Sequence, residues 1–280
     1  MPSASGQNRD ISMSNFRPRD NVVAKSANRH LGAVGHVSGE NMSSTIVGRP
    51  VQKQADDYFF LGMALLILGM VFVGFAHTYY LAGVFHARLP SLLVHVHGAL
   101  FSCWILLLIA QVTLVSAGRV SWHKRLGVFG MILAGLMVLV GFATLIGAVR
   151  RHAVFGMGLD ALLGEDVLQL VVFAVLVSWA LRVRMDGPAH KRLMILATVA
   201  LMGPAVARWP FAFVFSSAFV FFGIIDSVLI FLIAFDLWSR RKIHRVTILG
   251  SLLILVMQVT MAPVGHLAFW HRFTTWVQHL

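Results

Sequence analysis

The side chains best suited to chemistry in this sequence are histidines at the ends of long apolar segments. Two of them lie in VHVHG, residues 94–98, and two more lie in the related strings WHKRLG, residues 122–127, and AHKRLM, residues 189–194. A neutral imidazole binds zinc, copper and iron, including haem iron. The chain has one cysteine, Cys103, and neither a CxxC nor an HExxH string, so thiolate sites and zinc-hydrolase sites have little support.

Only one histidine of VHVHG can face the inside of a helical bundle. His95 and His97 are two residues apart, which is about 200° around an α-helix. Trp104 and Gln111 follow His97 at intervals of seven, and positions so spaced drift by only ~20° per heptad. We therefore expect His97, Trp104 and Gln111 to face inward and His95 to face headgroups or water. Gly98 would admit a neighbouring helix or a flat ligand beside His97.

Other polar residues are expected near the outer ends of their segments, at the depth of His97. Together with the inward stripe they predict a polar pocket, and they comprise His77, Glu165, Asp166, Gln169, Arg208, Gln258 and His266. Pairs among the three histidines at matched depth would suit the axial ligands of haem b. Imidazole with carboxylate would suit a transition metal. The cofactor therefore stays open between haem b and a transition metal, and no metal ligand set is assigned.

Asp226 is the one carboxylate expected near the middle of an apolar segment, in FFGIIDSVLIF. An ionisable residue at that depth costs roughly 2.5–3.5 kcal/mol on insertion scales and usually marks a pathway, a proton site or a paired group. Two interpretations remain open. Asp226 is either a functional proton or substrate site or a protonated carboxyl hydrogen-bonded to a neighbouring helix.

The elements that must position these residues are membrane-spanning helices. The chain is 58% hydrophobic and 12% charged, against about 25% charged residues in a soluble domain. Seven apolar segments are each close to the roughly 20 residues that cross a bilayer. They lie at about 58–80, 92–117, 126–149, 166–183, 192–209, 211–237 and 246–270. We predict an all-α polytopic protein with a disordered polar tail at 1–55 and a seven-helix domain at 56–280.

The distribution of Lys and Arg predicts the orientation, because such residues in short loops stay on the cytoplasmic side. With the N-terminus inside, and counting from Arg49 onward, thirteen basic residues fall in cytoplasmic segments and five fall outside. We therefore expect the N-terminus in the cytoplasm and the C-terminus outside. The net charge of +12 then reflects topology and attraction to anionic lipid headgroups, not nucleic acid. The sequence makes no prediction about the oligomeric state.

The strings WHKRLG and AHKRLM form a weak internal repeat. Both are expected in cytoplasmic loops immediately before a helix, which suggests two helical hairpins related by a parallel repeat. A plainer interpretation is that the basic residues only satisfy the positive-inside rule and bind lipid phosphate.

The string from Leu92 to Gly127, followed by HKRLMILATVALMGPAVAR, resembles a group of uncharacterised bacterial multi-pass membrane proteins. In that group an HxHG element opens one helix, an HRRLG-like element opens the next and an HKRLM element recurs later. The resemblance implies a multi-pass protein of the bacterial inner membrane and implies no activity. A looser similarity to b561-like haem-bearing membrane bundles favours redox chemistry, although paired histidines at both membrane faces are not predicted here.

Three function classes follow from these observations. The first is a redox protein that binds haem or a metal in the polar pocket around His97. The second is a proton-coupled transporter of a small solute that uses Asp226. The third is a structural or accessory membrane protein whose polar residues serve packing and anchoring.

Overall fold

The computed structural model describes residues 51–87, 91–151 and 159–279, with the side chains of 51–53 and 159–162 left out. Within these ranges the chain is all-helical and has no strand, which confirms the predicted fold class. The predicted tail lies almost wholly outside the described residues. Its last positions, 51–55, already belong to the first helix.

The helices follow one another in the order of the apolar segments. They are α1 (Val51–Phe75) with a π-helical turn (Ala76–Tyr80), α2 (Leu92–Ser116), α3 (Val120–Arg150), α4 (Leu159–Arg182), α5 (Gly187–Val199), α6 (Gly203–Val206), a 3₁₀ turn (Ala212–Phe215), α7 (Ala218–Arg240), α8 (Arg245–Gly265) and α9 (Ala268–Gln278). Six of the described helices are long and apolar enough to cross a membrane. The protein is therefore a multi-pass membrane protein.

The predicted fifth span, 192–209, is divided into two helices, and neither α5 nor α6 reaches spanning length. The cause is Pro204, which has no N–H to donate to the carbonyl four residues earlier. The hydrogen bonds just before it shorten to three residues, from Leu201 N to the oxygen of Thr198 at 3.1 Å and from Met202 N to the oxygen of Val199 at 3.0 Å. The predicted count of seven spans is therefore not confirmed.

The broken helix α5–α6 lies in the interior of the bundle. Helix α5 packs against α4 and α8, and α6 packs against α1 and α7. Leu193, Leu196 and Val206 are fully buried. Since lipid is as apolar as leucine, such packing is driven by close contact and not by exclusion of water. The polar residues at the two ends of α5–α6 are thereby fixed among neighbouring helices.

The two HKRL strings are not in loops, as predicted, but in the first turns of α3 and α5. At α5 the helix begins early because Asp186 caps it, and its Oδ1 accepts a hydrogen bond from the Ala189 N–H at 3.1 Å. Pro188 follows in the first turn, where its missing N–H costs nothing. The histidines of both strings therefore occupy fixed helical positions.

The predicted seventh span, 246–270, ends earlier than expected. Helix α8 ends at Gly265, shortly after Pro263, and a separate helix α9 packs against α3 and α4. The N-cap residue of α9, Leu267, has an extended backbone, which turns the chain between the two helices. His266 is the C-cap of α8 and is exposed.

Candidate functional site

A polar cluster surrounds the end of the broken helix α5–α6. We define the Arg208 cluster as His97 of α2, Asp166 and Gln169 of α4, and Arg208, which follows α6. The Arg208 guanidinium lies within electrostatic range of both His97 and Asp166. Its Nη1 donates to the oxygen of Pro204 at 2.6 Å, and its charged group lies 5.0 Å from the centre of the Phe75 ring. The guanidinium is thus near the Asp166 carboxylate of α4.

Two polar atoms in the Arg208 cluster are buried without a hydrogen-bond partner among the described residues. Gln169 Nε2 donates to Asp166 Oδ1 at 3.1 Å, but its Oε1 has no donor and lies against Gly203. The ring of His97 stacks on Phe101 at 4.1 Å, and its buried Nδ1 is also unpartnered. Buried polar atoms are normally satisfied, so each of these atoms is a candidate contact for a ligand.

Two other predicted pocket residues lie at the margin of this cluster. Glu165 is half-buried and within electrostatic range of Asp166 and of His266. His77 is exposed, and its ring centre lies 4.2 Å from that of Phe85. The structure places both His77 and His266 at exposed positions.

The predicted stripe of α2 divides between three environments. Trp104 is 3% exposed, and its Nε1 donates to Thr198 Oγ1 of α5 at 3.1 Å, so it is a core residue. Gln111 is 14 residues from His97, which is about 21 Å along a helix, and it lies beside Gly127 of α3. The stripe therefore faces inward at Trp104 but does not line a single pocket.

Gly98 was expected to admit a neighbouring helix or a flat ligand, and in the structure the aromatic ring of Tyr79 packs against it. A Cβ atom at Gly98 would lie 2.8 Å from Cζ of Tyr79, in the π-helical turn after α1. The Tyr79 hydroxyl donates to the backbone oxygen of His95 at 3.2 Å. His95 is half-buried, and this contact fixes the start of α2 against the end of the first span.

The intramembrane carboxylate Asp226 is paired with Gln258 and not with the Arg208 cluster. Gln258 Nε2 of α8 donates to Asp226 Oδ1 of α7 at 2.8 Å. Gln258 is 8% exposed, whereas Asp226 is half-buried. Gln258 was expected to share a pocket with His266, and its hydrogen bond instead joins α8 to α7.

The sequence interpretation missed a second polar network at the opposite end of α5. Asp236 and Arg192 are both 0% exposed. Arg192 Nε donates to Asp236 Oδ1 at 2.9 Å, and Nη2 donates to the same oxygen. Asp236 Oδ2 accepts from the His244 N–H at 3.0 Å and from the Thr247 hydroxyl at 2.7 Å. We call these four residues the Arg192 network.

No ready-made metal centre is present in the part of the chain that the structure describes. Within it, no three or more His, Cys, Asp or Glu side chains are grouped so that they could hold a metal ion. Two grooves of about 470 Å³ each face outward, between α3 and α4 and between α1 and α7, and their walls are mainly apolar. Neither groove includes a residue of the Arg208 cluster.

Comparison of the chain with protein-family models, with curated proteins and with solved structures finds no match.

Proposed function

We propose that the protein binds a small anionic solute at the Arg208 cluster and carries it across the membrane. The observation that carries the proposal is the break between α5 and α6, inside the bundle, with a guanidinium and unpartnered polar atoms around it. Interrupted helices at which buried polar groups converge are typical of solute sites in transporters. This is the second of the function classes that the sequence allows, and the broken helix favours it.

The chemistry of the Arg208 cluster suits a carboxylate or a similarly charged group. A guanidinium offers several N–H donors in a fixed plane and matches a carboxylate in a bidentate arrangement. A bound carboxylate would compete with Asp166 for Arg208, while hydroxyl or amide groups of the solute would donate to Gln169 Oε1. Phe75 and Phe101 would cover the apolar part of such a solute.

The Asp226–Gln258 pair is the proposed proton site of this carrier. It joins α7 to α8, and a neutral carboxyl is the form favoured in an apolar environment. Proton binding and release at Asp226 would alter its hydrogen bond with Gln258 and thus the packing of the two helices. Coupling of this kind needs the solute and the proton to favour the same arrangement of the helices.

The proposed transport requires the seven-span topology that the sequence predicts. We propose that α5 and α6 together form the fifth of seven crossings, with the N-terminus in the cytoplasm of a bacterial cell and the C-terminus outside the inner membrane. Residues 187–206 would extend for about 30 Å as one helix, which is the thickness of the hydrocarbon core. A reporter fused after Leu280 is then expected to be active only outside the cytoplasm, and a cytoplasmic signal would contradict this topology.

The cytoplasmic surface in this arrangement would bind anionic headgroups. Lys124 and Arg125 are exposed in the first turns of α3, and the Arg125 guanidinium lies 5.6 Å from the ring centre of the exposed Trp122. A tryptophan beside cations is typical of the membrane–water interface. We propose phosphatidylglycerol and similar lipids as partners there, and no nucleic acid.

The solute proposal is tested with purified protein in detergent and a defined panel of probes: acetate, succinate, phosphate, sulfate and taurine. A solute that binds the folded state alone raises the thermal midpoint in proportion to its concentration. We expect at least one panel member to raise it, and we expect that effect to be lost in Arg208→Gln and in Gln169→Leu. The matched control is Arg182→Gln, an exposed arginine at the α3–α4 groove.

The probe that binds is then followed as uptake into proteoliposomes with an imposed proton gradient. Uptake is expected to depend on the gradient and to become gradient-independent in Asp226→Asn. No thermal shift with any panel member, or an equal shift in Arg208→Gln, would overturn the proposed solute site. Equal gradient dependence in Asp226→Asn would overturn the proton role alone.

A cofactor at His97 is a second candidate function, and one observation favours it. The Nδ1 atom of His97 is buried and has no hydrogen-bond partner, and in the tautomer with the hydrogen on Nε2 it has an electron pair for a metal or haem iron. The purified protein is expected in that case to show a visible band that shifts on addition of dithionite and disappears in His97→Ala. A colourless, metal-free protein would remove this candidate.

A further inference from the structure

The HKRL repeat brings two histidines together at the end of the bundle opposite the Arg208 cluster. His123 lies in the first turn of α3 and His190 in the first turn of α5, and their ring centres are 6.3 Å apart with an interplanar angle of 88°. Neither residue has a part in the proposed solute site. In the sequence, His123 and His190 belong to two basic strings 67 residues apart, whereas in the folded chain their rings lie side by side.

The protonation of the His190 ring is determined by its hydrogen bond. Its Nδ1 lies 2.9 Å from the backbone oxygen of Ala180, and a carbonyl oxygen can only accept. Nδ1 therefore carries the hydrogen, and Nε2 keeps its electron pair when the ring is neutral. Metal-binding histidines are commonly oriented in this way, by a carbonyl that accepts from the nitrogen opposite the metal.

The Nδ1 atom of His123 is a second candidate ligand atom beside His190. The ring contacts the backbone carbonyl of Gln111, and its buried Nδ1 has no hydrogen-bond partner among the described residues. A buried ring nitrogen without a partner is uncommon and calls for a ligand, an ion or a water molecule. Both imidazoles are thus held by backbone carbonyls, and each has a nitrogen left to bind something else.

A third donor lies beside His123. The Oε1 atom of Gln111 is buried and unpartnered, and its amide nitrogen is 3.5 Å from the place that a Cβ atom would take at Gly127. Gly127 is one helical turn after His123, on the same face of α3. The Gln111 carboxamide is therefore close enough to supply an oxygen to an ion at His123.

The separation of the two rings indicates the geometry of the ion. A histidine nitrogen binds a metal at about 2.0–2.1 Å, so two rings with nitrogens on opposite sides of one ion have centres roughly 6.4 Å apart. The observed 6.3 Å is close to that limit. A tetrahedral angle at the ion would bring the ring centres to about 5 Å, so the spacing favours a nearly linear arrangement.

The positive charge near the two histidines limits which metal ion they could bind. Lys124 directly follows His123 in the sequence and lies within electrostatic range of its ring, and a divalent ion would meet that positive charge. Two imidazoles in line suit a singly charged copper ion or the iron of a haem, whose propionates pair with basic residues. Within the described residues no third His, Cys, Asp or Glu joins the pair.

We propose that His123 and His190 hold one transition-metal ion between α3 and α5, in a nearly linear arrangement, with the Gln111 carboxamide as a supporting donor. The shared chemistry is coordination by two neutral imidazoles. A bare cuprous ion would have room for the Gln111 oxygen as well, whereas haem iron would take the two imidazoles alone, because the macrocycle fills its other positions. The repeated HKRL string is then a ligand motif, and its basic residues fix the helix starts that carry the ligands.

The experiment uses the full-length protein, purified and then supplied separately with cuprous ion under reducing conditions and with haemin. Copper is measured by elemental analysis and by competition with bathocuproine, and haem by its Soret band. We expect one of the two to bind at about one per chain and to bind at least about tenfold more weakly in His123→Ala and in His190→Ala. His279→Ala, which removes an exposed histidine, is the matched control.

Gln111→Leu keeps both imidazoles and is expected to weaken binding of the cuprous ion by about 10–100-fold, as removal of a supporting group does, and to leave haem binding unchanged. For the cuprous ion it also covers the case in which a histidine variant fails to fold. A Soret band identifies haem iron, and stoichiometric copper in a colourless protein identifies the bare ion. Binding of neither, or binding lost only in His97→Ala, would overturn the proposal. The solute assay uses other residues, so the two proposals fail separately.

Discussion

The two ends of the broken helix α5–α6 carry two arginines in contrasting surroundings. Arg192, at the start of α5, is paired with Asp236 of α7, and that carboxylate also accepts from the Thr247 hydroxyl. Arg208, after α6, faces Asp166 of α4 in a cluster where Gln169 and His97 have buried polar atoms without partners. One arginine is enclosed in a saturated network, and the other lies among groups with unused hydrogen-bonding capacity.

This difference indicates that the Arg192 network serves stability and the Arg208 cluster serves ligand binding. A buried charge pair is tolerated when hydrogen bonds satisfy every group, and a partly satisfied network costs free energy that a folded protein accepts mainly at functional sites. We therefore expect substitutions in the Arg192 network to affect folding first. Substitutions in the Arg208 cluster should affect ligand binding first.

The largest expected effect is that of Arg192→Met. Removal of the guanidinium leaves the Asp236 carboxylate buried with only two donors, and loss of one partner of a buried ion pair costs about 3–5 kcal/mol. The measurement is the free energy of unfolding in mixed micelles, obtained by titration with denaturing detergent. A loss below 1 kcal/mol would contradict the structural role of this network.

Two further variants test whether the loss of stability comes from the unpaired charge and from its burial. Arg192→Met combined with Asp236→Asn removes both charges but keeps an amide oxygen that can accept from the His244 N–H and the Thr247 hydroxyl, so it is expected to recover most of the lost stability. Lys191→Met breaks the pair of Lys191 with Asp56, whose side chains are each 28% exposed. It is expected to cost at most about 1 kcal/mol, as exposed pairs do.

An intermediate effect is expected for Gly74→Ala, at the Arg208 end of the bundle. A Cβ atom at Gly74 would lie 2.1 Å from the backbone oxygen of Ala205, so α1 and α6 would have to separate. Overpacking of this kind costs about 1–3 kcal/mol. Because α1 carries Phe75 against Arg208, the variant should also weaken the thermal shift given by the solute probe. Gly69→Ala, with open space around it, is the control.

A smaller effect distinguishes two tryptophans. Trp104 Nε1 has a partner in Thr198, whereas Trp270 Nε1 is buried without a partner among the described residues. The change to Phe removes the same group from each, but only Trp104→Phe loses a hydrogen bond. Trp104→Phe should therefore be less stable than Trp270→Phe by about 1 kcal/mol. Equal unfolding free energies would show that the satisfied contact contributes nothing.

Hydropathy and charge predict most of the fold, since six spans and their order follow from length and apolar content alone. The exception is the fifth segment, where GPAVARWPF places Pro204 inside a predicted helix. Proline removes a backbone donor wherever it falls, but whether a kinked helix still crosses depends on the neighbours that pack around the break. That information is not local to the segment.

Contacts between residues distant in sequence limit what can be predicted of the sites. The association of Arg208 with a carboxylate of α4 follows from matched depth on two predicted spans. Asp236 resembles a solvated interfacial residue in sequence, because nothing local shows that Arg192, 44 positions earlier, packs against it. The pairing of His123 with His190 had a signal in the HKRL repeat, but the repeat has a plain explanation in topology.

The smallest expected effect is the pH dependence contributed by His244, at the rim of the Arg192 network. Burial, Arg192 and Arg240 lower the pKa of His244 below its ordinary value. On acidification through the ordinary pKa near 6.5, the unfolded chain therefore takes up this proton before the folded chain does, and stability falls until the folded pKa is passed.

His244 Nδ1 also accepts from the Val246 N–H at 3.3 Å, and protonation of Nδ1 removes that cap. In His244→Asn the side chain can still cap α8 but cannot titrate, so the unfolding free energy should decline less between pH 7 and pH 5 than in the parent protein. Identical slopes would show that this histidine titrates alike in both states and that the charge of Arg192 does not affect its ring.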